Sequence, residues 1–259
     1  LAGLPDVEVH ARDRGAPQGQ TDQLLANLDM SDFDQLWLFA VDTGEGLNAD
    51  ECAGISRFRK SGRGLMVTRD HMDLGSSVCT LGGVGEAHHF HTRNPEADPA
   101  RQVIDDRETA QILWPNYHSG ANGDVQTIAI VGEPHPVLRD PESTDGTGLI
   151  TRLPSHPHEG AVAAPPGDRS ARVIATGKSK VTGAEFNIAV AFEPSIKGGP
   201  AIAQSTFHHF ADYNLDPRLG APSFVTEPAG FDIVWHADAA RQARRYYRNL
   251  AEWLAGGRG

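Results

Sequence analysis

The chain has 259 residues, a formal net charge of −11, 39% hydrophobic residues and two cysteines. This composition fits a globular protein with a substantial core, and the acidic balance excludes the basic surface of a typical nucleic-acid-binding protein. No stretch approaches the roughly 20 apolar residues of a membrane helix, and two cysteines make no disulfide framework. We therefore expect a small-molecule substrate and neither a nucleic-acid nor a membrane partner, and we leave a homo-oligomer open.

The pattern of the first residues predicts that the sequence begins partway through the fold. Residues 1–6 resemble the end of a helix and a turn, and residues 7–11 alternate like a short strand. We expect a first strand and helix to precede residue 1. No signal-peptide pattern stands at the start, so the cytoplasm is the expected location. Because the N-terminus looks incomplete, a secreted or periplasmic location stays open.

The next stretch predicts a βαβ unit. The apolar run 36–41 is typical of a strand covered on both faces. Asn48, with Glu51 three residues later, begins a helix in the manner of a capping box, and this helix extends to about Lys60. A second strand follows at 64–68. This order of elements predicts parallel strands joined by a right-handed crossover.

The rest of the chain predicts further strands separated by irregular segments. We see no internal repeat and no long linker, so we expect residues 1–259 to form a single domain. Its later parts are irregular insertions at 92–124 and 208–236, strands at 125–131, 171–176, 185–192 and 201–207, and a C-terminal helix at 238–254.

Ionisable residues follow two of the predicted strands. The strand at 64–68 is followed by the charged run 69–71, and the strand at 201–207 is followed by His208, His209 and Asp212. Ligands of open α/β sheets bind beyond the carboxyl ends of the strands. Here a histidine could act as a general base, with a carboxylate that orients it. We therefore expect the functional site at these strand ends.

Histidines also suggest a metal site. Two His-x-His pairs occur, at 89/91 and at 156/158. Residues i and i+2 of an extended segment point the same way, so each pair could place two imidazoles on one metal. Imidazole suits zinc, copper, iron and nickel; the alternative is that these rings are solvated or hydrogen-bonded. The predicted ligands are His88, His89 and His91, the expected cofactor is a divalent metal, zinc or iron, and no nucleotide cofactor is expected.

The sequence around each of the two cysteines predicts a structural role. Cys79 has histidine neighbours at 88–91, but its segment is not the strand-to-helix elbow that presents a nucleophilic thiol. We expect it to occupy an apolar position in a short helix over 72–81, and Cys52 to lie in the core. A cysteine amidase stays a further alternative.

Several short segments match one known family in their order along the chain. They are the strand 36–41 with its glycine loop, 47–51, 58–67, 133–137 and 199–209. With them the chain resembles the ThuA-like (trehalose-utilisation) family, within the class I glutamine-amidotransferase-like superfold. The resemblance implies an α/β fold with a flavodoxin-like, open, mostly parallel sheet and helices on both faces.

The resemblance also implies a site. The end of strand 64–68 would occupy the nucleophile elbow, where amidotransferases carry cysteine; here it reads Thr68-Arg69-Asp70-His71. Glutaminase activity is therefore not expected. The resemblance implies a hydrolase or sugar-modifying enzyme that acts on a small polar, carbohydrate-derived substrate by acid–base or metal-assisted chemistry. The alternative is a non-catalytic sugar-binding module. The predicted catalytic residues are Asp70, His71, His208 and Asp212, and the predicted substrate-binding residues are Asp42, Gly44, Arg69, His118, His209 and Asn214.

Overall fold

The computed structural model describes residues 1, 3–40, 46–69, 73–106, 112–223 and 225–256. The strands are β1 (Gln35–Ala40), β2 (Gly64–Arg69), β3 (His88–His89), β4 (Val125–Thr127), β5 (Ala129–Ile130), β6 (Arg152–Pro154), β7 (Ala161–Val162), β8 (Ala171–Lys178), β9 (Glu185–Phe192) and β10 (Ala201–Gln204). The helices are α1 (Gln23–Ala26), α2 (Ala49–Lys60), α3 (Asp212–Leu215), α4 (Asp232–Trp235) and α5 (Ala237–Leu254), with short 3-10 helices between them.

Six strands form a mixed central sheet in the order β1-β2-β10-β9-β8-β5. Its first half is parallel: Leu65 of β2 pairs with Leu36 of β1 and with Ala201 of β10. From β10 onwards each neighbouring pair is antiparallel. The α/β class is confirmed, but the parallel arrangement applies only to β1, β2 and β10. The short turn between β8 and β9, with Gly183 at a φ of +75°, allows a hairpin and is too short for a parallel crossover.

The predicted βαβ unit is confirmed as β1-α2-β2. The side chain of Asn48 accepts the amide of Glu51 at 3.1 Å, and the Glu51 carboxylate accepts the amide of Asn48 at 2.8 Å. This reciprocal capping box begins α2 where the sequence predicts it. The crossover places α2 against one face of the parallel strands.

Helices cover both faces of the sheet. Leu65 and Val67 of β2 pack with Ile55 and Phe58 of α2, whereas Met66, which points the other way, belongs to a second core with Tyr246, Leu250 and Leu254 of α5. This alternation follows from the period of two in a strand. No helix among the described residues is both long and apolar enough to cross a membrane.

Three predicted elements differ from the structure. Residues 7–11 form no strand; instead, salt bridges from Arg12 to Asp22 and from Arg14 to Glu51 hold this N-terminal segment against α1 and α2. The strand predicted at 125–131 is divided, since β4 pairs with β6 and β5 pairs with β8. The helix predicted at 72–81 is represented by a 3-10 helix at Ser76–Thr80.

Candidate functional site

The carboxyl ends of β2 and β10 lie side by side. The two strands pair in parallel, and the amide of Phe207 donates to the carbonyl oxygen of Arg69 at 3.0 Å. β10 ends at Gln204, earlier than predicted, and a 3-10 helix at His208–Phe210 follows. Because of this turn, His208 and His209 enter two different environments. The predicted residues Asp42, Gly44, Asp70 and His71 lie outside the described residues.

Three imidazoles, which we call the histidine cluster, converge at this edge: His156, His158 and His208. The rings of His156 and His208 stack with centroids 3.4 Å apart, and the His158 ring lies edge-on to His156 at 5.5 Å. The Tyr213 hydroxyl lies 2.8 Å from Nδ1 of His208. The amide of His158 donates to Nδ1 of His156 at 3.1 Å. These contacts fix the orientation of the His156 and His208 rings.

Two carboxylates lie beside the histidine cluster. Nε2 of His158 is 2.8 Å from Oδ2 of Asp106 and 3.9 Å from Oε1 of Glu227. Together Asp106, His158 and Glu227 form what we call the carboxylate–histidine group, whose ligand-type atoms all lie within 4.8 Å of one another. Such a mixture of imidazole nitrogen and carboxylate oxygen can hold a divalent metal.

A fully buried pair of side chains, Glu159 and His209, directly follows His158 and His208 in the sequence. Oε1 of Glu159 is 2.9 Å from Nε2 of His209, and neither side chain is exposed. The same carboxylate accepts hydrogen bonds from the side chains of Ser119 at 2.8 Å, Gln126 at 2.6 Å and Ser205 at 2.6 Å.

Burial acts to raise the pKa of Glu159, but the charge of His209 and the donated hydrogen bonds outweigh this effect. The pKa of Glu159 is therefore lowered, and the carboxylate stays charged inside the protein. The predicted site residue His209 thus belongs to a buried ion pair in the interior of the protein.

Two predicted substrate-binding residues bind the main chain instead. The guanidinium of the buried Arg69 donates to the carbonyl oxygens of Ala161, at 3.2 Å, and of His89, and it lies over the ring of Phe90. Asn214 donates to the carbonyl oxygens of Ser155 and His208 and accepts the amide of Gly123. Both side chains therefore join loops to one another, and their part in substrate binding stays a prediction.

Two further predicted residues have local roles. Asp212 is exposed, and its carboxylate accepts the amide of Tyr213 at 2.7 Å; the hydroxyl of Tyr213, rather than this carboxylate, orients His208. The amide of the half-buried His118 donates to the carboxylate of Asp105, and its carbonyl oxygen accepts the amide of Lys180. These contacts place the β8–β9 hairpin next to His118.

The structure does not bring His88, His89 and His91 together as metal ligands. β3 sends the side chain of His88 into the core, and burial followed by the Arg69 charge holds its pKa well below the ordinary value. Nδ1 of His89 lies 2.8 Å from the carbonyl oxygen of Asn94, and His91 packs against Trp114. Among the described residues, the carboxylate–histidine group is the set with ligand spacing, and metal binding by the chain stays a prediction.

Neither cysteine is poised as a nucleophile. Burial raises the pKa of Cys79 to about 11, and its thiol lies 3.5 Å from the carbonyl oxygen of His88. Cys52 is buried in the core, where burial also raises its pKa. A nucleophilic cysteine requires a lowered pKa, whereas the pKa of both thiols is raised. Both thiols are therefore protonated at neutral pH.

Sequence reasoning missed several members of this site. It singled out the pair His156 and His158, but it assigned no role to Asp106, Glu227 or Tyr213. The carboxylates lie in segments without periodicity, so only the His-Pro-His pattern at 156–158 marked this region of the chain.

No protein-family model matches this chain, and no curated protein matches it. Its chemistry must therefore be inferred from its own side chains. Among the described residues, the histidine cluster and the two carboxylates are the groups that could react at the edge of the sheet.

Proposed function

We propose that the chain is a ThuA-like enzyme with a flavodoxin-like scaffold that acts on a small polar, carbohydrate-derived substrate. Its chemistry would be acid–base or metal-assisted and would take place at the carboxyl ends of β2 and β10. The observation that carries this proposal is the stacking of His156 and His208 at 3.4 Å, with the Tyr213 hydroxyl at Nδ1 of His208.

His208 has the environment expected of a general base. A general base needs an ionisation near neutral pH, which histidine has, and a fixed orientation. The Tyr213 hydroxyl at Nδ1 fixes the ring of His208, and in this proposal the fixed imidazole exchanges a proton with a substrate or a water molecule. His208 lies four residues after the end of β10, and the amide of the preceding residue, Phe207, donates to the carbonyl oxygen of Arg69 at the end of β2. A histidine near these two strand ends is the relation that the ThuA-like resemblance implies.

The scaffold supports the same proposal in its parallel half. The βαβ unit and the parallel pairing of β10 with β2 are the arrangement that a flavodoxin-like sheet requires. Thiolate chemistry has no support, since burial raises the pKa of Cys79 to about 11. We therefore propose an enzyme without glutaminase activity.

The test is a comparison of turnover between the wild type, His208→Ala and the control His236→Ala. The substrates are keto-sugars, disaccharides and amides. His236 is exposed and precedes α5, so its removal should leave turnover unchanged. Loss of a general base should lower kcat/KM by roughly 10²–10⁴-fold. Equal turnover in all three proteins would remove His208 from the mechanism, and sugar binding without turnover would favour the binding module.

A further inference from the structure

We propose that Asp106, His158 and Glu227 bind a first-row divalent transition metal, zinc or iron(II). The proposal concerns binding, so it does not depend on the activity proposed above. It places the metal at the carboxylate–histidine group rather than at the 88–91 histidines.

The spacing of the donor atoms fits a metal. Ligands about 2.1 Å from a tetrahedral ion lie about 3.4 Å from one another. The distances from Nε2 of His158, 2.8 Å to Asp106 and 3.9 Å to Glu227, lie on either side of that value. The two carboxylates lie within 4.8 Å of each other, so movements of about an ångström, which side-chain rotations provide, would bring all three atoms onto one ion.

The charges favour a cation as well. Two carboxylates whose oxygens lie within 4.8 Å repel each other. Asp106 is largely removed from water, with 7% of its side chain exposed, so water screens this repulsion poorly. A divalent ion would neutralise both and leave His158 as a neutral ligand.

Neighbouring side chains hold the main chain at two of the three ligands. The amides of Asp105 and Asp106 both donate to the side chain of the fully buried Asn116, at 2.7 and 3.1 Å. The amide of His158 is held by Nδ1 of His156. Groups that fix metal ligands in this way raise metal affinity.

Glu227 has a different environment, since 43% of its side chain is exposed. A metal held by two fixed ligands and one exposed carboxylate keeps a face open to solvent, as catalytic metal sites do.

The donor types select the class of metal. Imidazole suits zinc and iron better than calcium or magnesium, and the absence of a thiolate among the three ligands disfavours copper(I). We therefore expect zinc or iron(II) to bind more tightly than magnesium or calcium.

The test uses the whole chain, freed of metal by a chelator and titrated with zinc, with iron(II) without oxygen, and with magnesium. Calorimetry gives the affinity, and elemental analysis after dialysis gives the stoichiometry. We expect one zinc or iron ion per chain, and a melting temperature that rises with metal concentration. No bound ion, or tighter binding of magnesium, would overturn the proposal.

Single substitutions test which residues bind the ion. His158→Ala should weaken binding by more than the roughly 10–100-fold that loss of a supporting group costs. Glu227→Gln should weaken metal binding as well. Because residue 227 is exposed, this substitution should not unfold the protein, so unfolding would not explain the loss of binding. The control is His89→Ala, from the other His-x-His pair, which should bind normally. If His89→Ala loses the ion while Glu227→Gln keeps it, the assignment is wrong.

Discussion

Two pairs of consecutive residues connect the cluster to the interior. His158 and His208 belong to the histidine cluster, while their neighbours Glu159 and His209 form the buried ion pair. Each outer side chain is therefore fixed by an inner neighbour one residue away. Because the buried carboxylate has several donors in addition to His209, the ion pair should hold both loops in register.

Glu159→Ala should strongly destabilise the protein. It removes the charge partner of His209 and leaves the side chains of Ser119, Ser205 and Gln126 without their acceptor. Breaking a buried pair typically costs about 3–5 kcal/mol. Urea unfolding measures the loss, and Ser119→Ala, which removes one donor, should cost only about 1 kcal/mol. Equal losses of unfolding free energy in the two variants would show that the ion pair contributes no more than a single hydrogen bond.

His88 should make the protein sensitive to acid. Neither of its ring nitrogens has a hydrogen-bond partner among the described residues, and burial holds its folded-state pKa well below the ordinary value. Below about pH 6.5 the unfolded chain binds a proton at this residue that the folded chain does not. Stability should therefore fall as the pH falls from about 6.5 towards the lower folded-state pKa.

The variant His88→Leu isolates this effect. Between pH 7.5 and pH 5 it should lose less unfolding free energy than the wild type, by up to about 2 kcal/mol, because proton uptake by residue 88 of the unfolded chain is removed. Urea unfolding at the two pH values gives the difference. The control His236→Leu changes an exposed histidine and should lose as much as the wild type does. A His88→Leu protein with undiminished acid sensitivity would contradict the explanation.

At the scale of elements, local patterns predicted the parts that depend on local contacts. The capping box of α2 and the strand β2 were visible in the sequence because their signals lie within a few residues. The position of β10 between β2 and β9 was not visible, since it depends on pairing between distant segments. For the same reason, Asp106 and Glu227 could not be placed next to His158.

The start of α2 gives a prediction for one element. The buried carboxylate of Glu51 accepts the amides of Asn48, at 2.8 Å, and Asp22, at 2.6 Å, and the guanidinium of Arg14. Glu51→Ala should therefore cost about 3–5 kcal/mol, as expected for a broken buried pair. Asp50→Ala, an exposed change in the same helical turn, should cost less than about 1 kcal/mol. Thermal unfolding of both variants checks this difference. If Glu51 acted only through the helix dipole, the two variants should lose the same stability.

At the scale of the whole molecule, the start of β2 lies very close to the end of α5. A Cβ atom on Gly64 would lie 2.2 Å from the carbonyl oxygen of Leu254 and 2.8 Å from its Cβ. The start of β2 and the end of α5 therefore approach each other closely only because residue 64 has no side chain. This contact joins the N-terminal βαβ unit to the C-terminal helix.

Gly64→Ala should separate β2 from α5. Overpacking of this kind typically costs about 1–3 kcal/mol, and urea unfolding should show a loss in that range. The control is Gly3→Ala, because an added Cβ at Gly3 meets nothing within 4 Å; its stability should match that of the wild type. A stable Gly64→Ala protein would mean that α5 shifts at little cost.

The place of β10 in the sheet has a consequence for the order of folding. The β8–β9 hairpin and the β1-α2-β2 unit are built from contacts close in sequence, which form quickly. β10 pairs with both of them, and its pairing with β2 closes a long loop. His208 follows this strand, so the site should be completed only when the two halves join. In pulse-labelling hydrogen exchange, the amides of β10 should gain protection after those of β8 and β9.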